Sequence, residues 1–274
     1  MSRRSHDGAL TSVETSTVQP SQHYLGAQLK YFQERIDPET EIVRPRGYPR
    51  VVQFLLRFKL SSAMALAGDR KFSHALVVCC GSGMDAEFLE GLGVEVVGLD
   101  LSRAALQRAQ ERKRRFGAAF HVVEGLAEAL PFPDRSFPLV FVTDGLHHLE
   151  DPYPAFKELA RVSSDTVIVG EPADAPLTRL AVALRISSDW EDAGNYVFRF
   201  RRAELSRLFR SLGFTDCRAR HDLIYYQPWT FKLYRLFGWG PAYMLFRLLY
   251  AFTNRLVGRW GNSLKFAASR RPEP

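Results

Sequence analysis

The sequence predicts an α/β fold in which helices cover both faces of a parallel sheet. Short apolar runs such as ALVVCC (75–80) and VEVVGLD (94–100) end in glycine or an acid, which is typical of buried parallel strands. Amphipathic segments alternate with these runs, as in repeated strand–helix units. The composition, 46% hydrophobic and 24% charged, is that of an ordinary globular protein and excludes a disordered or fibrous one.

The chain begins with a tail and a helical cap. Residues 1–22 are rich in Ser and Thr without periodicity, and we expect a flexible tail. Residues 23–73 are predicted to form an N-terminal helical cap. In its second half, Val51, Leu55 and Phe58 share one helix face at spacings of three and four residues.

A core domain is predicted over residues 74–222. Ser102 is a good N-cap and Gly117 a good stop for the helix between them. The predicted strands are 75–80, 94–100, 119–125, 139–145, 166–172 and 215–226. The predicted helices are 85–93, 102–117, 154–162 and 204–214. Residues 262–274 supply a last strand and a tail.

An insertion at 223–261 carries the excess charge of the chain. The protein has 37 Lys+Arg against 30 Asp+Glu, a net charge of +7, and residues 223–274 hold eight of the basic residues and one acid. Gly240-Pro241 divides the insertion into two predicted helices. The second has an apolar stripe made of Leu245, Leu248, Leu249, Phe252 and Leu256.

Three interpretations of this insertion stay open. It is a lid over a lipophilic acceptor, a peripheral membrane contact through residues 229–260, or additional packing, including a homo-oligomer interface. Nucleic acid is not expected as a partner, because the basic residues alternate with long aliphatic ones instead of forming a polar strip.

The cysteines and the N-terminus favour a cytoplasmic location. Cys79, Cys80 and Cys217 are odd in number and form no C-x-x-C pair, so neither a disulfide framework nor a metal site is expected. The N-terminal arginines precede no apolar stretch, which argues against a secretory signal. The longest uncharged apolar run near the C-terminus, Leu236–Phe246, is too short to span a bilayer.

A glycine loop between the first strand and its helix is the sharpest candidate site. Gly81 and Gly83 let a ligand approach the backbone closely beside a helix N-terminus. Asp100 ends the next strand and can accept hydrogen bonds from the ribose hydroxyls of an adenosine group. A tight turn without a ligand would have the same residues.

Two classes of cofactor bind to a loop and acid of this kind: nicotinamide dinucleotides and S-adenosylmethionine. Gly81-x-Gly83-x-x-Ala86 satisfies the dinucleotide pattern, and Tyr153-x-x-x-Lys157 is like the pair of short-chain dehydrogenases. Prolines flank that tyrosine, and the lysine begins an amphipathic helix, so the pair is interpreted as coincidence.

Two longer segments favour S-adenosylmethionine over a dinucleotide as the cofactor. ALVVCCGSGMDAEFLEGLGVEVVGLDLS resembles the first two motifs of class I S-adenosylmethionine-dependent methyltransferases. EGLAEALPFPDRSFPLVFVTDGLHHLEDP resembles the next two motifs of their type 11 branch, which includes ubiquinone, menaquinone and natural-product methyltransferases. The resemblance implies a Rossmann-like seven-stranded sheet with its last strand antiparallel. It also implies S-adenosyl-L-methionine as cofactor and a small lipophilic or aromatic acceptor.

The resemblance assigns roles to particular residues. It implies that Asp100 binds the ribose and that Asp144 lies at the strand end that faces the transferred methyl group. From the helical cap, Tyr24 and Tyr31 are candidate contacts. The other residues that match cofactor-binding positions are Cys79, Gly81, Gly83, Leu101, Leu126 and Ala127.

Several positions depart from the pattern of the branch. Val77 stands where Asp or Glu is usual, Cys79 replaces a glycine, and Leu126 replaces an adenine-binding Asp for which Glu124 or Glu128 could substitute. These changes leave two alternatives open: a non-methylating enzyme such as a cyclase that retains the cofactor, and a non-catalytic membrane-associated subunit.

Candidate catalytic groups follow the fourth and fifth strands, where open α/β sheets bind ligands. His148, His147 and Glu171 are the candidates, because an acceptor that carries a proton needs a base. The histidines could equally be helix-start residues bonded within their loop. In the segment 187–202, the rings of Trp190, Tyr196 and Phe198 either line an acceptor pocket or pack within the loop.

Overall fold

The computed structural model describes residues 22–191, 193–225 and 230–270, with side chains from Leu25 onward. The predicted N-terminal tail lies outside these residues, apart from Gln22. Seven strands form one sheet in the order β3-β2-β1-β4-β5-β7-β6. The strands are β1 His74–Val78, β2 Glu95–Asp100, β3 His121–Glu124, β4 Phe137–Thr143, β5 Ser163–Pro172, β6 Asp216–Asp222 and β7 Ser263–Ser269.

The pairing of the strands confirms the predicted architecture. β1 to β5 pair in parallel, and β7 runs antiparallel between β5 and β6. The helices are α1 Gln22–Glu34, α2 Pro38–Val43, α3 Arg50–Met64, α4 Met84–Glu90, α5 Arg103–Phe116, α6 Tyr153–Val162, α7 Pro176–Ala183, α8 Arg202–Ser211, α9 Phe231–Leu236 and α10 Gly240–Val257.

Two of these helices were not predicted. α2 has six residues, too few to show a periodicity, although Asp37 caps it through the Thr40 amide and Pro38 occupies its first turn. α7 begins at Pro176 and precedes the segment interpreted as an insertion after β5. The predicted caps of α5 are confirmed: the Ser102 hydroxyl accepts from the Ala105 amide, and Gly117 adopts the left-handed conformation.

The core lies on both faces of the sheet because its central strands are apolar throughout. In β1, Leu76 and Val78 face one buried cluster, while Ala75 and Val77 face the other. Val77 is fully buried there. Val77 therefore packs in the part of the core that lies between the sheet and helices α3 and α4.

β1 is shorter than predicted and ends at Val78. Cys79 has a φ of 54°, which turns the chain out of the strand. The Cys80 amide still donates to the Leu99 carbonyl oxygen. Both cysteines thus belong to the loop that follows the strand, at the carboxyl edge of the sheet.

The insertion forms α9 and α10, divided at Gly240 as predicted. The predicted apolar stripe of α10 points outward, with Leu248 65% and Phe252 62% exposed. Its inward face carries Phe246 and Tyr250, whose rings contact Phe54 of α3. In the described part of the chain, no helix combines the length and the hydropathy needed to cross a bilayer.

Candidate active site

One large cavity opens at the carboxyl edge of the sheet, where β1, β2 and β4 end. Its volume is about 1380 Å³. The walls come from the strand-end loops, from α1 to α3 of the helical cap, and from the segment after α7 and the inward face of the insertion. Pockets for one small molecule measure about 300–1,000 Å³, so this cavity has room for two.

At one end of the cavity, Asp100 closes the glycine loop. One carboxylate oxygen accepts from the Gly81 amide at 2.8 Å, and the other accepts from the Ser102 amide at 2.8 Å. Burial raises the pKa of Asp100 above its ordinary value, and the two amide donors oppose that effect. A Cβ at Gly81 would meet nothing within 4 Å, so the loop presents bare backbone to the cavity.

Gly83 and Cys79 shape this loop in different ways. Gly83 does not line the cavity: its φ is 82°, and a Cβ there would lie 2.5 Å from the Phe120 ring, so α4 can begin here because the residue is glycine. Cys79 lines the cavity, and its left-handed φ is the conformation that the usual glycine adopts without strain. Burial raises the pKa of its thiol well above the ordinary value.

The predicted adenine contacts meet on the same wall. Leu101, Leu126 and Ala127 all line the cavity. Of the two acids that could substitute for the missing Asp, Glu128 lines the cavity, and burial raises its pKa. Glu124 instead pairs with Arg103 on the outer surface, at 3.0 Å.

Asp144, at the end of β4, pairs with a lysine of the helical cap. Lys59 of α3 is 2% exposed and donates to the Asp144 carboxylate. Burial by itself would raise the pKa of Asp144, but the positive charges of Lys59 and His147 lower it to about 2. The sequence carried one signal for Lys59: it follows the buried Leu55 by four residues on the apolar face of α3.

A buried arginine fixes the helical cap to the glycine loop. Arg112 of α5 is fully buried and donates to the carbonyl oxygens of Ser82, Glu41 and Arg44, at 2.7, 2.7 and 2.5 Å. It also pairs with Glu87 of α4 at 2.9 Å. One side chain thus joins α2, the loop and α5, which holds α2 over the cavity.

His147 is bound by two carboxylates. Its Nδ1 lies 2.7 Å from Glu171 Oε2, and its Nε2 lies 3.5 Å from Glu191 Oε1. Burial by itself would lower the pKa of His147, but Glu171 and Glu191 raise it to about 10. The other Glu171 oxygen accepts from the Gly145 and Leu146 amides at 2.9 Å each. Glu171 does not line the cavity, and it holds the loop after β4 in place.

His148 is the more exposed histidine and lines the cavity. Its Nδ1 lies 2.9 Å from Glu191 Oε2, and its ring meets the edge of Phe32 from α1. Hydrogen bonds to the two histidines lower the pKa of Glu191 against the opposing effect of burial. Ring nitrogens of His147 and His148 and a carboxylate oxygen of Glu191 lie within 4.8 Å of one another. The sequence did not indicate this cluster.

The other end of the cavity is apolar and aromatic. Trp190 lines it, together with residues from α7, α9 and α10 that include Leu177, Phe237 and Leu249. Tyr196 and Phe198 do not line the cavity; their rings contact each other at 5.7 Å. The Trp190 ring contacts the Tyr196 ring at 5.9 Å, so the three rings stay together, and of the three Trp190 alone lines the cavity.

The first helix forms part of the roof. Tyr31, Phe32 and Gln28 of α1 line the cavity. The Gln28 amide donates to the Ala193 carbonyl oxygen at 3.2 Å, which ties α1 to the segment after α7. Tyr24 lies in α1, but its side chain is outside the described part of the molecule.

Comparison with protein families and curated proteins agrees with this geometry. Residues 76–167 match the model of the family described as a methyltransferase domain. A demethylmenaquinone methyltransferase of Bacillus licheniformis is 35% identical over 105 residues, which are 36% of this chain and 44% of that protein. The 27-O-demethylrifamycin SV methyltransferase of Amycolatopsis mediterranei is 34% identical over 99 residues, 35% of each chain. The chain thus spans well under two thirds of the length of these relatives.

Solved structures share the fold at low sequence identity. The magnesium protoporphyrin IX methyltransferase of Synechocystis, with bound SAH, gives a TM-score of 0.60 at 16% identity and covers 88% of this chain and 97% of its own. The cyclase SpnF gives 0.58 at 14% identity and covers 92% and 98%. Residues 76–167 therefore match a methyltransferase domain of the type 11 branch, and the chain around them shares the fold of these solved structures.

Proposed function

We propose that this protein transfers a methyl group from S-adenosylmethionine to a small lipophilic or aromatic acceptor such as a quinone, a natural product or an isoprenoid. The observation that carries the proposal is the continuity of the cavity. The glycine loop and Asp100 lie at one end, and an apolar compartment lined by Trp190 and Phe237 lies at the other. The resemblance to quinone and rifamycin methyltransferases supports the acceptor class.

The residues at the cofactor end suit the two ends of S-adenosylmethionine. Asp100 would accept hydrogen bonds from the ribose hydroxyls, since each carboxylate oxygen has a second lone pair beyond its amide donor. Lys59 and Arg44 both line the cavity and would bind the carboxylate of the methionine part. When bound, the sulfonium of the cofactor supplies an electrophilic methyl group.

The protein's own contribution is to align the acceptor and exclude water. α1, α3 and α10 wall the cavity, so an acceptor there is held between the aromatic end and the loop after β4. Because the pKa of His147 is about 10, this histidine is protonated at neutral pH and is unsuited to remove a proton. His148, oriented by Glu191, is the better candidate for a base.

Calorimetry tests the cofactor half of the proposal. The intact protein should bind S-adenosylmethionine and its demethylated product, and Asp100→Ala should weaken both by about 100-fold, because hydrogen bonds to a charged group contribute about 1.5–3 kcal/mol each. Glu124→Ala is the matched control, since Glu124 pairs with Asp100 in strand register but faces the outer surface. Failure of the intact protein to bind either compound would refute the proposal.

Product analysis tests the acceptor half. The protein is incubated with labelled cofactor and a set of phenols, hydroquinones and isoprenoid alcohols, and label in the organic phase is measured. His148→Ala should lower transfer to a phenol and leave cofactor affinity unchanged, with the loss decreasing as pH rises toward the pKa of the phenol. Binding without transfer to any acceptor would favour a cofactor-retaining cyclase or a non-catalytic subunit.

A further inference from the structure

The apolar stripe of α10 is exposed although the helix packs against the protein. Of the 18 residues of α10, Asn254 is the one that is buried. Tyr243, Phe246 and Tyr250 face Phe54 of α3. The opposite face carries large apolar side chains that are 52–65% exposed: Met244, Leu245, Leu248, Leu249, Phe252 and Leu256. Together with Trp239 and Trp260, which lie at the two ends of the helix, they are called the α10 face.

This surface is larger and more apolar than a soluble surface requires. Single exposed leucines are ordinary, whereas a continuous stripe from Met244 to Leu256, about three and a half turns of helix, marks an interaction site. Exposed tryptophans at both ends are typical of helices that lie at a membrane interface, where the indole ring meets the headgroups. The stripe therefore calls for an apolar partner.

The charged residues of the insertion and the last strand have one sign. The sequence contains no acidic residue between positions 223 and 270. Within the described part of the insertion, Lys232, Arg235, Arg255 and Arg259 are exposed, and Arg247 is exposed but lies over the inward rings of Phe54 and Tyr243. Basic residues that flank an exposed apolar stripe complement the phosphates of an anionic lipid surface.

The α10 face is continuous with the mouth of the cavity. Leu249 belongs to the stripe and also lines the cavity, as does Thr253 one turn later. Across the cavity, Ile186 and Trp190 line the wall and are 57% and 63% exposed. The mouth of the cavity thus opens between an apolar border from α10 and an apolar border from the segment after α7. A surface that contacts both borders would cover the mouth.

We propose that the α10 face binds the surface of an anionic lipid bilayer, with the cavity mouth turned toward the lipid. A second copy of the chain is the less suitable occupant, because a two-fold interface would place these cations against the same cations of the other copy. Bilayer binding does not depend on the proposed methyl transfer; the delivery of a lipophilic acceptor from the bilayer rests on it.

Vesicle sedimentation tests this directly. The full chain is mixed with vesicles of equal parts phosphatidylglycerol and phosphatidylcholine, or of phosphatidylcholine alone, and the bound fraction is measured at low and high salt. We expect binding to the anionic vesicles that weakens with salt. The double variant Leu248→Ser/Phe252→Ser should bind at least about tenfold more weakly, since both side chains are exposed and neither lines the cavity.

Matched control variants distinguish binding through the α10 face from nonspecific adsorption to the vesicles. Leu92→Ser removes an equally exposed leucine just before β2, at the opposite edge of the sheet, and should bind like the parent. Arg255→Glu should weaken binding about fivefold or more, whereas Arg114→Glu, on an exposed arginine of α5, should not. Circular dichroism and thermal unfolding verify that each variant is folded, whether or not the protein binds the cofactor.

Three results would overturn the proposal. The intact protein fails to bind anionic vesicles at low salt, or the α10 variants bind as well as the Leu92 control. In the third, the protein is a dimer by light scattering and Leu248→Ser/Phe252→Ser makes it monomeric, which assigns the face to a second copy. A failure of cofactor binding would bear on the proposed function and not on this surface.

Discussion

The two ends of the cavity are built in different ways. At the cofactor end, the glycine loop, Asp100 and the adenine wall lie at or directly after the ends of β1, β2 and β3, and the Asp100 carboxylate accepts from the amides of Gly81 and Ser102. At the acceptor end, the walls come from α1, from the segment after α7 and from α10, which are far apart in sequence. The first end depends on local backbone geometry, and the second on packing between remote segments.

The centre of the cavity combines the two. Asp144 ends β4, as the sequence resemblance implied, yet its partner Lys59 comes from the helical cap. His147 follows the same strand, yet one of its carboxylate partners, Glu191, lies beyond α7. Local motifs therefore position each residue at a strand end. Segments remote in sequence supply the charged partners that set its protonation state.

The largest expected effect is at this centre. Asp144→Asn and Lys59→Met should each lower the free energy of unfolding by about 3 kcal/mol, because each removes the ion pair that the buried Lys59 makes with Asp144. The double variant should lose about 1–3 kcal/mol less than the sum. Urea unfolding measures all three. The exposed pair Arg103–Glu124 is the control, with a coupling of about 0–1 kcal/mol. Additive losses at Lys59 and Asp144 would show that the pair is not coupled.

A smaller effect is expected where two strand-end loops touch. A Cβ at Gly145 would lie 2.4 Å from the Cys79 Cβ, so Gly145→Ala should destabilise the protein by about 2 kcal/mol. In a Cys79→Gly background the loss should shrink, because the clash has gone. Gly26→Ala in α1, where a Cβ meets nothing within 4 Å, should be neutral or stabilising. Equal losses in both backgrounds, measured by thermal unfolding, would contradict the close approach.

The charge of His147 predicts a pH dependence. Its pKa is raised from 6.5 to about 10, so the stability it contributes is complete below pH 6.5 and is lost as pH rises through about 10. The free energy of unfolding of the parent, minus that of His147→Gln, should fall by about 1.4 kcal/mol per pH unit across this window. Urea titrations at several pH values give the difference. A constant difference would mean that His147 is neutral in the folded state.

The smallest effect concerns the adenine wall. Leu126 lines the cavity where the branch usually has Asp. Leu126→Asp should tighten binding of the demethylated cofactor product about fivefold, since a net hydrogen bond contributes about 1 kcal/mol. Leu126→Ala offers no acceptor and should show no gain in the same calorimetric titration. Equal affinities for the Asp and Ala variants would indicate that Glu128 already fills this role.

Local signals in the sequence were enough to predict the sheet, the glycine loop and the position of Asp100. Apolar strands, caps such as Ser102 and Gly117, and glycines at forced turns are local signals, because each acts within a few residues of itself. The same reasoning missed α2 and α7, which are too short for a periodicity to show.

The partners of the site residues, and the side of α10 that the protein covers, depend on packing between segments that are far apart in sequence. Lys59 reaches Asp144 across 85 residues of sequence, and Glu191 joins the two histidines from beyond α7. The sequence predicted the apolar stripe of α10 but left open whether the protein covers it, since helical periodicity groups residues without saying which side is buried. Phe246 and Tyr250 pack against Phe54 and turn their side of α10 inward, which leaves the α10 face outside.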